Sequence, residues 1–218
     1  MPAPGPAATR AGLAPAQPAS SLRPLYLPPF RVDLETRAGV PRLLPAATLA
    51  RALRAALLAG GAPEPAAVGL VLADDAELAR LNAAHMGHRG PTDVLSFPLL
   101  PPEAFPPHEG GLPRPPARPR GTSRRVRTVR PDAGPAFLLP PGARLHLGDV
   151  VVSVERAIEQ AEAGRGGQTG NVRWSPADEL RLLVVHGALH LCGWDHADPV
   201  EGSAMRSLEA ALLGAPAR

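Results

Sequence analysis

The sequence predicts an α/β (α+β) fold, a single domain with a small four-stranded mixed sheet packed by about five helices. Two observations support this class. Runs of strand length alternate with helical patterns in the first part of the chain, and helical patterns accumulate towards its end. A length of 218 residues is also enough to bury one full core.

The first predicted strand and helix lie within residues 31–61. Residues 31–35 alternate strictly between apolar and polar side chains, which is typical of a half-buried strand. A helix of about 14 residues then ends at the Gly60-Gly61 pair. Its apolar residues recur every fourth position: Leu49, Leu53 and Leu57.

A second strand and a short helix follow. Residues 68–72 are continuously apolar, which predicts a strand that is buried on both faces. Asp74, with Glu77 three residues later, resembles a capping box and predicts the start of a short helix. Leu78 and Leu81 give this helix its apolar side.

The third and fourth strands are predicted at residues 94–97 and 148–153, and the latter leads directly into a helix at 154–163. Asp93 and Ser96, at the third strand, either reach a functional cleft or cap and pack the strand. We prefer packing, because short polar side chains commonly bond to nearby backbone groups.

Two helices complete the predicted fold. Ser175-Pro176-Ala177-Asp178 combines a hydroxyl N-cap, a proline at the first position and an acid in the first turn. Residues 180–185 are almost all apolar, so we expect this helix to be buried on most sides. Asp198 caps the last helix, whose packing stripe is Met205, Leu208 and Leu212.

Two proline-rich segments are expected to lie outside the fold. Residues 1–24 show no periodicity and lack the apolar core of a signal peptide, so we expect a disordered tail before a domain at 25–218. An insertion at about 99–144 interrupts this domain and is expected to add nothing to the core. A solvated loop is the simplest interpretation of this insertion. An RNA-tracking arm is the alternative, because arginines neutralise phosphates; the arginines are Arg114, Arg118, Arg120, Arg124, Arg125, Arg127 and Arg130.

Composition limits the classes of partner. All 23 basic residues are arginine, and the net charge of +3 permits an RNA partner without requiring one. The single cysteine excludes an intramolecular disulfide, which fits a reducing cytoplasm. No stretch approaches the roughly 18 apolar residues of a membrane span. We therefore expect a cytoplasmic protein without a membrane partner.

The segment at residues 186–196 carries the predicted chemistry. Residues four apart lie on one face of an α-helix, so His186 and His190 can present two imidazoles to one metal ion. Gly193 stands where the helix has to end and turn back, and the turn can return His196 to the same ion. Three neutral imidazoles leave a fourth tetrahedral position for water, which is typical of catalytic zinc. The sequence thus predicts one Zn²⁺ per chain at the end of a buried helix.

Several residues within this segment allow alternative interpretations. The spacing HxxxHxxGxxH matches that of the metzincin metalloproteases, but Gly187 stands where those enzymes have their glutamate base, which argues against a protease. Cys192 is expected to be a small buried hydrophobe, because a thiolate ligand would close the open position. Asp195 either orients an imidazole or forms the turn after Trp194, and the sequence favours neither interpretation.

Three blocks of the sequence resemble the signatures of the YbeY-type endoribonucleases, bacterial proteins that mature ribosomal RNA. HGALHLCGWDH at 186–196 resembles the hallmark HGxLHLxGxDH, and PTDVLSFP at 91–98 and LGDVVVS at 147–153 resemble the other two signatures. The blocks occur in the order found in the family and, with the segments between them, cover roughly residues 30–213.

The resemblance implies a zinc-dependent, single-strand-specific endoribonuclease with His186, His190 and His196 as metal ligands. It also implies ribosomal RNA and the small ribosomal subunit as partners. The implied process is maturation of the 3′ end of small-subunit ribosomal RNA, together with ribosome quality control.

One position departs from the family pattern. The family usually has an arginine at the end of its LNxxYR stretch, which is thought to engage the RNA phosphate. Here Met86 occupies that position and His85 replaces the aromatic residue before it. Arg89 or His88 in the neighbouring turn can substitute, so Arg89 and Asp195 are the candidate catalytic residues beside a zinc-bound water. Because of this departure, a non-catalytic ribosome-assembly factor with a structural metal remains the alternative function.

Overall fold

Five strands and five α-helices make up the described part of the chain in the computed structural model, which describes residues 20–108, 144–164 and 174–214. The strands are β1 (Ser21–Leu27), β2 (Phe30–Thr36), β3 (Ala66–Ala73), β4 (Val94–Pro98) and β5 (Leu145–Ser153). The helices are α1 (Ala46–Ala59), α2 (Asp75–Leu81), α3 (Val154–Glu162), α4 (Pro176–Leu191) and α5 (Pro199–Leu213). The predicted α+β class and the predicted helices are confirmed. Among the described residues, none of the helices has the length and apolarity needed to cross a bilayer.

The strands form one mixed sheet in the order β1-β2-β3-β5-β4. Strands β2, β3 and β5 are parallel, while β1 pairs antiparallel with β2 and β4 pairs antiparallel with β5. Helix α1 supplies the crossover that the parallel pair β2 and β3 requires. The antiparallel strands β1 and β4 are therefore the two edges of the sheet.

Strand β1 was not predicted from the sequence. It comprises Ser21–Leu27, so the expectation that the whole of residues 1–24 forms a tail was wrong for its last residues. Pro24 interrupts any strand pattern, and the strand is largely exposed. Proline is tolerated here because an edge strand leaves one side of its ladder without partners. Residues 1–19 lie outside the described part of the chain, so the expectation for them stays a prediction.

The main core lies between one face of the sheet and helices α1 and α4. Its side chains are almost inaccessible to solvent and come mainly from these elements, as in Phe30, Val32, Leu49, Leu53, Leu57, Leu70, Val150, Leu183 and Leu189. A smaller cluster comprises Ala73, Leu78, Leu95 and Val151, and joins α2 to strands β3, β4 and β5. Helix α4 is thus buried on most sides, as its apolar run predicted.

The beginning of the proline-rich insertion packs on the core, contrary to the expectation that this segment adds nothing to it. Pro102–Ala104 form one turn of 3-10 helix, and Phe105 is only 7% exposed within the main cluster. His108 stacks on Trp194 with 4.1 Å between ring centroids. Two isolated aromatic rings in a proline-rich run produce no periodicity, which is why the sequence did not reveal this packing. Residues 109–143 of the insertion lie outside the described part of the chain.

Truncating Phe105 should measure how much this segment contributes to stability. We expect Phe105→Ala to lower the free energy of unfolding by about 3 kcal/mol, because it removes a buried ring and leaves a cavity. Urea denaturation of the full chain measures this loss. The exposed neighbour Glu103 provides the control, and Glu103→Ala should change stability by less than about 0.5 kcal/mol. Equal stability of Phe105→Ala and the wild type would contradict packing on the core.

Candidate metal centre

Helix α4 carries two of the predicted ligands and begins with a complete capping box. Ser175 Oγ accepts a hydrogen bond from the Asp178 backbone N–H at 3.2 Å. The Asp178 carboxylate accepts one from the Ser175 backbone N–H, also at 3.2 Å. Pro176 occupies the first turn, where its missing N–H costs no bond. The helix start predicted from these residues is confirmed.

Helix α4 approaches strands β4 and β5 closely at Gly187. A Cβ atom at this position would lie 2.5 Å from Val150 Cγ1 and 2.9 Å from Val94 Cγ2. Ser96 Oγ donates a hydrogen bond to the Gly187 carbonyl at 2.9 Å, so Ser96 packs the strand as preferred from the sequence. Position 187 therefore faces the sheet and has no room for a side chain. A glutamate base of the metzincin kind cannot be accommodated there.

Helix α4 ends in a Schellman turn that bends the chain back over the helix. The Gly193 N–H donates to the His190 carbonyl and the Trp194 N–H donates to the Leu189 carbonyl, both at 3.1 Å. Gly193 has a φ of 86°, the positive value expected from the sequence. The turn places the Trp194 carbonyl where it accepts a hydrogen bond from His190 Nδ1 at 2.7 Å.

The three predicted ligands come together at the end of α4. The ring centroids of His186 and His190 are 4.5 Å apart, and His196 lies 5.5 Å and 5.2 Å from them. One nitrogen of each ring lies within 4.8 Å of the others, so the three side chains can hold one metal ion. His186 and His190 are half-buried, whereas His196 is exposed. The centre is thus open to solvent on the side of His196.

Hydrogen bonds decide which nitrogens face the centre. A backbone carbonyl can only accept, so His190 Nδ1 carries the proton and Nε2 keeps its lone pair. His186 Nδ1 likewise donates to Glu209 Oε1 at 2.6 Å. The two Nε2 atoms are 3.0 Å apart. Two lone pairs at this distance repel unless a cation or proton lies between them, so the donor set fits a metal cation.

The protonation of His190 also suits a ligand. Burial lowers the pKa of His190 to about 4, and the neighbouring His186 and His196 rings act in the same direction. The hydrogen bond to the Trp194 carbonyl opposes this shift without reversing it. His190 is therefore neutral at pH 7, which is the form that binds a metal.

Asp195 organises the turn that carries His196. Its Oδ1 accepts hydrogen bonds from the backbone N–H groups of His196 at 2.7 Å and of Ala197 at 3.2 Å. Partial burial acts to raise the pKa of Asp195, but these two bonds and the nearby His190 and His196 rings hold it below its usual value. The hydrogen bonds agree with the turn-forming interpretation, and a catalytic role of Asp195 stays a prediction.

Cys192 lies next to the centre in the sequence but packs into the core. Its side chain is buried against Gly60 at the end of α1, where an added Cβ would be 2.7 Å from the sulfur. Burial raises the pKa of the Cys192 thiol to about 12, so the thiolate that binds metals does not form at pH 7. This agrees with the expectation of a small buried hydrophobe.

The predicted RNA contacts lie in an exposed turn after α2. The chain continues from α2 through a π-helical segment, Asn82–Met86, in which Met86 is 44% exposed. The Asn82 side-chain amide donates to the Gly90 carbonyl at 2.9 Å and closes the turn that contains Arg89. Arg89 is exposed and has no hydrogen bond or ion pair within the described ranges. Its guanidinium is available to a ligand, and its role in catalysis stays a prediction.

Two carboxylates of α5 that were not predicted from the sequence lie beside the centre. Glu209 bonds to His186, and Glu201 Oε1 accepts the Asp195 backbone N–H at 2.7 Å and lies 2.7 Å from His108 Nε2. Both glutamates are only 8% exposed. They lie one turn before and one turn after Met205, on the apolar stripe of α5. An acidic residue on the apolar stripe of a helix needs a buried partner. The positions of Glu201 and Glu209 on this stripe were therefore the sequence signal that could have predicted their buried contacts.

The fold and the site together define the class of this protein. It is an α+β domain in which three imidazoles at the end of a buried helix form a candidate metal centre. A family model described as Endoribonuclease YbeY matches residues 40–215 of the chain. The chain therefore belongs to the Endoribonuclease YbeY family, as its three sequence blocks predicted.

Relatives named Endoribonuclease YbeY span most of the chain. The protein from Moorella thermoacetica is 37% identical over 166 residues, which are 76% of this chain and 83% of that protein. The protein from Roseiflexus castenholzii is 31% identical over 185 residues, which are 84% of this chain and 91% of the relative. The solution structure of TM1509 from Thermotoga maritima matches at 18% identity with a TM-score of 0.42, and covers 85% of this chain and 89% of that one.

The close contact at Gly187 can be tested by adding one methyl group. We expect Gly187→Ala to lower the free energy of unfolding by about 1–3 kcal/mol, because the new Cβ overlaps Val150 and Val94. Val150→Ala removes part of that overlap, so the double variant should be less destabilised than the sum of the two single variants. Denaturation with urea measures all four proteins. Wild-type stability of Gly187→Ala would contradict the tight packing of α4 on the sheet.

Proposed function

We propose that this protein is a zinc-dependent endoribonuclease that cleaves single-stranded RNA. As a member of its family the chain is an endoribonuclease, a hydrolase that acts on RNA. The observation that supports metal dependence is the 3.0 Å distance between the Nε2 atoms of His186 and His190. The Nδ1 atoms of both rings donate hydrogen bonds to other groups of the protein, so both Nε2 atoms keep their lone pairs. A set of imidazoles with one open side suits zinc.

A bound zinc ion would supply a Lewis acid and lower the pKa of water towards about 7. His186, His190 and His196 would hold the ion through one ring nitrogen each. His190 lies in the last turn of α4, where the negative end of the helix dipole favours a cation. The exposed side at His196 is where a phosphodiester can approach.

We infer from the family signatures that the substrate is ribosomal RNA of the small subunit. The proposed process is maturation of the 3′ end of this RNA and ribosome quality control, in the cytoplasm. The exposed guanidinium of Arg89 supports contact with an RNA phosphate, since arginine pairs with phosphate oxygens through charge-assisted hydrogen bonds.

A second candidate function is a non-catalytic ribosome-assembly factor with a structural metal. Met86 favours it, because a thioether replaces the arginine expected at this exposed position. A metalloprotease-like hydrolase has no such support, since position 187 cannot hold its base.

Metal content should test the proposed ligands. We expect about one zinc per chain in the purified protein, and most of it should be lost in each of His186→Ala, His190→Ala and His196→Ala. Two imidazoles alone cannot hold the tetrahedral site. Elemental analysis measures zinc, and circular dichroism checks that each variant is folded. Full zinc occupancy in folded His196→Ala would remove His196 from the ligand set.

RNA cleavage should test the reaction itself. The zinc-loaded protein should cleave single-stranded RNA faster than duplex RNA, should leave casein intact, and should lose activity when the zinc is chelated. Gel analysis of labelled RNAs and of casein measures the three reactions. Zinc-loaded protein that binds RNA without cleaving it would favour the assembly factor, and cleavage of casein would favour the protease.

Restoring the family arginine should test the phosphate contact. A charge-assisted contact contributes roughly 1.5–3 kcal/mol, so Met86→Arg should raise turnover on single-stranded RNA about ten- to a hundredfold if the contact forms in the transition state. Arg89→Ala should lower turnover if Arg89 is the substitute, and the two changes should not be additive. Single-turnover kinetics measures these effects, with Met86→Gln as the uncharged control. No gain from Met86→Arg and no loss from Arg89→Ala would exclude both positions as phosphate contacts.

A further inference from the structure

The carboxylate of Glu209 reaches the candidate centre from a different helix than the histidine that it contacts. Its Oε1 atom lies 2.6 Å from His186 Nδ1, and the side chains of Glu209 and His186 are 10% and 25% exposed. A buried carboxylate is costly unless it is paired. Within the described residues, the His186 imidazole is the hydrogen-bonding partner of this carboxylate. The short distance is typical of a charge-assisted hydrogen bond.

We propose that Glu209 is a positioning residue, which holds the His186 proton at Nδ1 and directs the Nε2 lone pair into the centre. This inference rests on the proposed binding of a metal ion at the three histidines. Either nitrogen of a neutral imidazole can carry the proton, and the hydrogen bond made by one nitrogen decides which. Glu209 thus holds the proton of His186 at Nδ1, as the Trp194 carbonyl holds the proton of His190 at Nδ1.

The same helix also positions the turn that carries the third histidine. Glu201 accepts the Asp195 backbone N–H at 2.7 Å, and a Cβ at Gly202 would lie 3.3 Å from the His196 carbonyl oxygen. Glu201 and Glu209 are two helical turns apart on one face of α5. Helix α5 therefore contacts the first proposed ligand and the turn that carries the third. The contact of Glu209 with His186 is therefore buried beside the candidate centre, unlike a surface ion pair.

Zinc affinity of the full chain is the first test. Loss of a carboxylate that orients a metal-bound histidine typically weakens metal binding about 10- to 100-fold, and we expect this for Glu209→Ala. Glu209→Gln should show a smaller loss, because its amide oxygen can still accept the Nδ1 proton. The exposed Ser207 lies on the same helix, and Ser207→Ala should bind zinc like the wild type. Competition with a chromophoric chelator measures the dissociation constants of the wild type and the three variants.

The position of the His186 proton is the second test, and a merely structural role of Glu209 would leave it unchanged. Nitrogen-15 NMR of the imidazoles in the metal-free protein at neutral pH should find the proton at Nδ1 in the wild type and in Glu209→Gln. In Glu209→Ala it should move to Nε2 in a large fraction of molecules.

The two tests separate this inference from the proposed function. A wild-type protein that binds no zinc would reject the metal proposal, while the NMR spectra of the metal-free protein would still test Glu209. A folded Glu209→Ala with unchanged zinc affinity and the proton at Nδ1 would overturn the inference. If Glu209→Ala does not fold, Glu209→Gln decides: weaker zinc binding with the proton at Nδ1 supports the positioning role, and wild-type affinity with the proton at Nε2 overturns it.

Discussion

The tight packing of helix α4 on strands β4 and β5 determines where the candidate centre lies. Gly187 faces Val150 and Val94 with no space for a side chain, so the rotation of α4 about its axis is set at this residue. His186 precedes Gly187 by one residue, which is about 100° around the helix, and His190 lies one turn further along the same face. The contact with the sheet therefore directs both imidazoles to the edge of the core, where solvent and a substrate can reach them.

The orientation of these imidazoles depends on two hydrogen bonds of different origin. The partner of His190 is the Trp194 carbonyl, which the Schellman turn places within the same short segment. The partner of His186 is Glu209, which belongs to another helix. Both bonds leave an Nε2 lone pair facing the centre. The helix end thus serves the candidate site as well as the fold, because the Trp194 carbonyl orients a proposed ligand.

Membership of the Endoribonuclease YbeY family and the geometry of the histidines both agree with the proposed metal-dependent hydrolysis of RNA. Gly187 stands at the second position of the hallmark HG pair, and the sheet contact gives the physical reason for a glycine there. That contact also separates this chain from the metzincins, whose spacing it shares. Met86 is where the chain departs from the family pattern, and this residue lies in an exposed turn outside the buried core. The departure therefore lies at the surface and leaves the histidine cluster intact.

The sequence by itself determined the features that depend on residues close together in the chain. The pairing of His186 with His190, the positive φ of Gly193 and the N-cap at Ser175 follow from helical periodicity and from the hydrogen bonds at helix ends. Strand β2 was likewise predicted from its alternation of apolar and polar residues, and β3 to β5 from their apolar residues, because a strand has to be apolar on each face that it buries.

Only the tertiary structure decided the features that depend on distant partners. Strand β1 contains Pro24 and is mostly exposed, so its residues show no strand pattern. It forms because it pairs with β2. Phe105 and His108 pack on the domain from a proline-rich run without periodicity. Glu209 and His186 are 23 residues apart, on two helices. Such contacts have no local pattern, because the free energy that favours them arises when separate elements bury polar and apolar groups together.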